Sequence, residues 1–138
     1  MAPGGQQADL DSRTLVEVRI PASAAQISAV RVVAADLAAR QDFDLDAVSD
    51  LRMAVDEACA TLVPLAAAGA TLSCRFLANT AAVEVVVQVT VDDPGAKVPQ
   101  NTFGWRVLTT LADDVTVLDG EAGTLGIGLS LRRERMDG

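Results

Sequence analysis

One helix-borne carboxylate, an acidic turn and a glycine before a third helix are the features of this chain that could do chemistry. Residues 50–66 read DLRMAVDEACATLVPLA. Val48, Leu51, Val55, Ala58, Cys59, Leu62 and Ala66 recur at three- and four-residue steps, while Asp50, Glu57 and Thr61 cluster near the opposite side. Such a helix packs on a sheet through its apolar stripe and still presents Glu57, a carboxylate able to take a proton from an attacking hydroxyl or water. Asp93, Pro94 and Gly95 follow a valine-rich strand, and Gly104 lies at the start of FGWRVLTTLADDV. The chain has no histidine, which removes imidazole bases, Ser-His-Asp triads and the common zinc sites together. Any catalysis rests on carboxylates or on a metal-bound nucleotide. Taken singly, each feature also has a plainer meaning: Glu57 as a solvated acid, Thr61 as a hydroxyl bonded to its own helix, and Asp-Pro-Gly as a turn.

The elements that must hold these groups are written in the periodicity. TLVEVRI from Thr14 alternates Val16, Val18 and Ile20 against Glu17 and Arg19, the period of a half-buried strand. Ser23 and Gln26 predict a capping box for a helix whose stripe is Ile27, Val30, Ala34 and Leu37, ending near Arg40. Phe43, Asp44 and Val48 predict a capped and stapled second helix from Leu45, with Pro64 as its kink or stop. Strands are expected around Leu72, Cys74 and Phe76, along Val83 to Val91 in alternation, at 115–118 and at 125–131, with a third helix over 102–112. The order β-α-α-β-β-α-β-β implies an α/β (α+β) fold, a two-layer sandwich with a mainly antiparallel sheet and helices on one face. Residues 1–13, rich in Gly, Gln and Asp, are expected to be a disordered tail, and 14–138 a single domain.

Composition narrows the function classes. The chain has 138 residues, half of them apolar, enough for one domain with a real core. Its net charge of -8 opposes direct contact with nucleic acid or an anionic membrane and favours a basic protein partner. Three phenylalanines, one tryptophan and no tyrosine leave too few rings for a stacking platform on single strands. Cys59 and Cys74 fall on an apolar helix face and an apolar strand face, as buried reduced thiols would. No apolar run is long enough for a membrane span and the start lacks a signal-peptide pattern, so a soluble, cytoplasmic protein is expected.

The order and spacing of the Glu57 helix, VDDPG at 91–95 and the segment at 103–115 resemble the nucleotide boxes of the RsbW-type anti-sigma factors. These are small regulatory members of the Bergerat (GHKL) ATP-binding superfamily, and the likeness covers residues 14–131. In that family the long helix supplies a glutamate that activates the attacking hydroxyl, matched here by Glu57. One turn later the family has asparagine as a magnesium ligand, where this chain has Thr61. Asp93 matches the aspartate that accepts from the adenine amino group and Gly95 the first box glycine, with Lys97 replacing the second. Of the glycine-rich turn that holds phosphates on helix amides, Gly104 alone remains, and the run from Gly95 to the helix is short for a lid. Gly123 and Thr124 resemble the closing Gly-Thr pair. Arg31 matches an arginine that family members use against sigma.

The resemblance thus implies a Bergerat fold and sequestration of an alternative RNA polymerase sigma factor. It further implies release by an anti-anti-sigma protein of the STAS type, and a homodimer. With the magnesium ligand and phosphate turn altered, binding without catalysis is expected. The alternative is an active serine-protein kinase that uses ATP and Mg²⁺ to phosphorylate its STAS partner, with Glu57 as base.

Overall fold

The computed structural model describes residues 13–119 and 123–133. Apart from Arg13, the tail expected at 1–13 lies outside the described residues. Strand β1 (Thr14–Pro21) is followed by helices α1 (Ile27–Arg40) and α2 (Leu45–Leu62), and then by strands β2 (Thr71–Ala78) and β3 (Ala82–Thr90). Helix α3 (Phe103–Leu111) leads into β4 (Asp114–Asp119) and β5 (Thr124–Arg132). The strands form one antiparallel sheet in the order β1-β2-β3-β5-β4. Helices cover one face, giving the expected two-layer α/β sandwich.

Register explains the core. Cys74 pairs with Val87 and Phe76 with Val85, and those valines pair with Ile127 and Leu129, so one row of apolar side chains crosses three strands beneath the helices. Above it, Leu51, Ala54, Val55, Ala58, Cys59 and Leu62 of α2 are all at 0 % exposure. Burying a leucine or valine in this way stabilises by roughly 1.5–3 kcal/mol each. The uncovered sheet face alternates to Glu17, Arg19, Arg75 and Glu84, with Leu15 and Val86 among them.

Local signals act mostly as the residue types dictate. The Asp44 side chain accepts from the Ala47 amide at 2.8 Å, Phe43 is buried ahead of it, and α2 begins at Leu45. Helix α2 ends at Leu62, and Pro64 falls in a 3₁₀ turn at Val63–Leu65. The capping box at Ser23 does not form. A 3₁₀ turn, Ala24–Gln26, precedes α1, and the Ser23 carbonyl takes the Gln26 amide at 3.0 Å, the donor its hydroxyl would have served.

Far from the sheet centre, Arg133 fastens the α1–α2 corner. Its guanidinium donates to the carbonyls of Thr80, Asp42 and Gln41 and lies 4.8 Å from the centroid of the Phe43 ring. Asp42 itself takes a left-handed φ of 62° to turn that corner.

Between α2 and β2, the Cys59 and Cys74 thiols are free, buried and 4.0 Å apart, sulfur to sulfur. The hydrogen bond with Cys74, aided by burial, pushes the Cys59 thiol far above its ordinary range. A thiol protonated in the folded state but ionising in the unfolded chain near pH 8.5 leaves stability intact below that pH and erodes it above, because the unfolded state then binds fewer protons. Lys97 is the one lysine, and tyrosine and histidine are absent, so few other groups titrate there. Urea midpoints should therefore hold from pH 6.5 to about 8 and fall as pH rises past about 8.5, a slope that Cys59→Ala makes shallower. Replacing Asp44 by alanine should lower unfolding free energy by about 1 kcal/mol in the same assay.

Candidate functional site

Helices α2 and α3 pack against each other, and Glu57 meets α3 at its first turn. Thr102 is the N-cap, its hydroxyl accepting from the Trp105 amide at 3.1 Å, and the Arg106 amide already reaches the Thr102 carbonyl at 3.3 Å. That leaves the amides of Phe103 and Gly104 as the remaining first-turn donors, at the positive end of the helix dipole. The Glu57 carboxylate rests against Gly104. A Cβ at position 104 would overlap Glu57 Oε2 and lie 3.1 Å from its Cδ. The sequence offers Gly104 as the remnant of a phosphate turn; in the structure the missing side chain makes room for the protein's own carboxylate.

A separate cleft of about 270 Å³ contains the acidic turn, lined by Asp93, Lys97, Asp119, Gly123 and Thr124 among others. The Val91 amide donates to the Gly123 carbonyl at 2.8 Å, which ties the turn to the start of β5. Gly123 has φ of 84°, a backbone that favours glycine. Asp93 accepts the Gly95 amide at 2.8 Å, so one of its oxygens closes its own turn while the residue stays exposed. The structure thus joins Asp93 with the Gly123-Thr124 pair, and Glu57 with Gly104, whereas neither Gly95 nor Glu57 lines the Asp93 cleft. Between the two, the run after Gly95 is anchored by Val98, which is 4 % exposed.

Thr61 lies half-buried one turn beyond Glu57, and among the described residues no hydrogen bond engages its hydroxyl. Nor, among them, does any group of three acidic, histidine or cysteine side chains gather as a metal site. Magnesium demands near-octahedral oxygen ligation, usually from one or two carboxylates, waters and substrate phosphates. Here the Glu57 carboxylate lies against Gly104. A phosphate brought to the first turn of α3 would meet a like charge beside Gly104. Among the described residues, no ligand set for a magnesium triphosphate gathers around Gly104.

Two features of the surface escape sequence reading. Arg31 on α1 has Nε 3.1 Å from Asp56 Oδ1 on α2, an ion pair with both side chains 44 % exposed, and without the alignment of a hydrogen bond. No spacing rule joins residues on different helices, although Asp56 adjoins Glu57 in sequence. A larger cleft of about 680 Å³, between the start of α2 and the end of α3, is lined by Asp42, Asp44, Asp46, Asp50 and Asp113 with Arg132 and Arg133 close by. An exposed pair contributes little to folding, so Arg31→Ala should change unfolding free energy by less than about 1 kcal/mol in urea titrations.

Residues 20–133 match the profile of the histidine kinase-like ATPase domain. The chain is 38 % identical over 146 residues to a Mycobacterium tuberculosis protein named anti-sigma-F factor RsbW, covering 95 % of this chain and 86 % of that relative. It is 24 % identical over 144 residues to a Bacillus cereus protein named serine-protein kinase RsbW, 88 % of each being covered. A crystal structure of the RsbU and RsbW domains of a Mycobacterium tuberculosis protein superposes with a TM-score of 0.65 at 17 % identity. That likeness of fold takes in 86 % of this chain and 32 % of the other.

Proposed function

We propose that this chain, which belongs to the histidine kinase-like ATPase domain family, is an anti-sigma factor that captures an alternative RNA polymerase sigma factor in the cytoplasm. An anti-anti-sigma protein of the STAS type competes for the same chain and releases the sigma. The observation that carries the reading is the likeness, along nearly the whole length, to a relative named as an anti-sigma factor. Residues 14–138 act as one domain, and pairing of two copies belongs to the same reading.

Physical features support capture over catalysis. The net charge of -8 and the carboxylates around the start of α2 favour a basic partner, and sigma factors are rich in basic surface that faces DNA and polymerase. Arg31 is half-exposed on α1, and its exposed partner costs little to exchange for a carboxylate of the sigma. Protein capture needs surface complementarity and no phosphate geometry. The second reading, a serine-protein kinase acting on the STAS partner, is favoured by Glu57 on α2 and by the name of the Bacillus relative.

Affinity capture from native cytosol at two salt concentrations tests both. A sigma subunit should be recovered at low salt and lost at high salt, and Arg31→Ala should weaken that recovery despite its small effect on stability. Absence of sigma at low salt, or magnesium-dependent transfer of phosphate from ATP to a STAS-domain protein, would overturn capture without catalysis.

A further inference from the structure

We propose that Cys59 and Cys74 form a redox-sensitive latch: a small hydroperoxide such as hydrogen peroxide converts the facing thiols into a disulfide, which ties α2 to β2 and shifts the turn of α2 that carries Asp56 and Glu57. The bond itself is independent of the sigma partner, and only its effect on capture rests on the function proposed above.

The chain's two cysteines lie on different elements, yet they meet sulfur to sulfur at 4.0 Å across the boundary between helix and sheet. Both are fully buried. Cys59 belongs to the covered stripe of α2, flanked by Val55 and Leu62, and Cys74 is paired with Val18 of β1 and Val87 of β3, so neither can turn away to solvent. The approach still needed for a bond of ordinary length is about 2 Å. Strand β2 is paired on both sides, so closure draws on α2, and Asp56 and Glu57 sit in the same turn as Cys59. Those carboxylates meet Arg31 and Gly104, where the closure is felt. In the reaction, one sulfur attacks a peroxide oxygen and the O–O bond breaks, leaving a sulfenic acid and one water. The second sulfur then displaces that hydroxyl, forming the S–S bond and releasing a second water. Each sulfur gives up one electron, the peroxide takes two, and both thiol protons leave in the waters. Covered and hydrogen-bonded, the Cys59 thiol stays neutral at rest, so the pair reacts slowly and records sustained peroxide rather than a brief pulse.

Trypsin leaves both cysteines in one peptide, 53–75, running from Met53 to Arg75. The folded protein is treated with hydrogen peroxide, quenched, unfolded, exposed to iodoacetamide and digested. That peptide should have lost two hydrogens and take no alkyl group, whereas in the untreated protein both thiols are alkylated, and a reductant should restore both. Trp105 is the one tryptophan and adjoins Gly104, against which Glu57 rests. Its emission should change on oxidation and recover with the reductant, which separates the bond from peroxide damage to Met53 or to Trp105 itself. Cys74→Ala should show neither the bond nor the recoverable change. The oxidised protein should capture sigma at least about fivefold more weakly than the reduced one. Thiols that stay unreacted through prolonged exposure, sulfinic acids without a bond, or disulfides joining separate chains would overturn the proposal. So would a bond that leaves Trp105 emission unmoved, or equal capture by the two forms. Failure of the sigma reading shows instead as no capture by the reduced protein, with the peptide and emission results untouched.

Discussion

Everything in this molecule is arranged around the complete desolvation of one side of α2. Leu51, Ala54, Val55, Ala58, Cys59 and Leu62 leave no surface exposed, and helix α2 touches α1, α3, β3 and β5. A helix packed on three sides cannot rotate without uncovering a leucine or a valine, and each such exposure costs on the order of 2 kcal/mol. The direction of Glu57 is therefore fixed by the apolar residues behind it. So is the position of Asp56 opposite Arg31. The polar side of α2 is a rigid display surface, set by burial on its other side.

The parts of this architecture with a period were legible in the sequence. Alternation in TLVEVRI and in the valine row, and the three- and four-residue steps of Ile27, Val30, Ala34 and Leu37, report which face is buried before any packing is known. Asp44 and Pro64 were legible for the same reason, since each acts on amides or carbonyls within a turn of itself. Ser23 misleads because two local bonds compete for one amide, and the backbone carbonyl takes it. The unreadable features join separate elements: Glu57 with Gly104, Arg31 with Asp56, and the facing thiols of Cys59 and Cys74. None leaves a spacing signature, because the intervening chain sets no distance between their side chains.

The candidate site shows what that difference means. By resemblance Gly104 stands where a phosphate turn would lead into a helix, and in the structure it lies in the first turn of α3. Only the three-dimensional contact reveals that a carboxylate of the same chain rests against it. Asp93 and Gly95, by contrast, form a turn with its own hydrogen bond, and the Val91 amide just before it is tied to Gly123 ahead of β5. The acidic turn and the Glu57–Gly104 contact are thus separate places in the fold.

Arg133 carries a consequence for how the protein is made. Its guanidinium joins the carbonyls of Gln41 and Asp42, 92 and 91 positions earlier in the chain. During synthesis the corner between the first two helices must wait, unfastened, until the ribosome has released residue 133. Strand β5, which delivers that arginine, is also the central partner that β3 lacks until then. A nascent chain that has completed β3 therefore leaves its valine edge unpaired until β5 follows, the interval in which that edge is open to other strands.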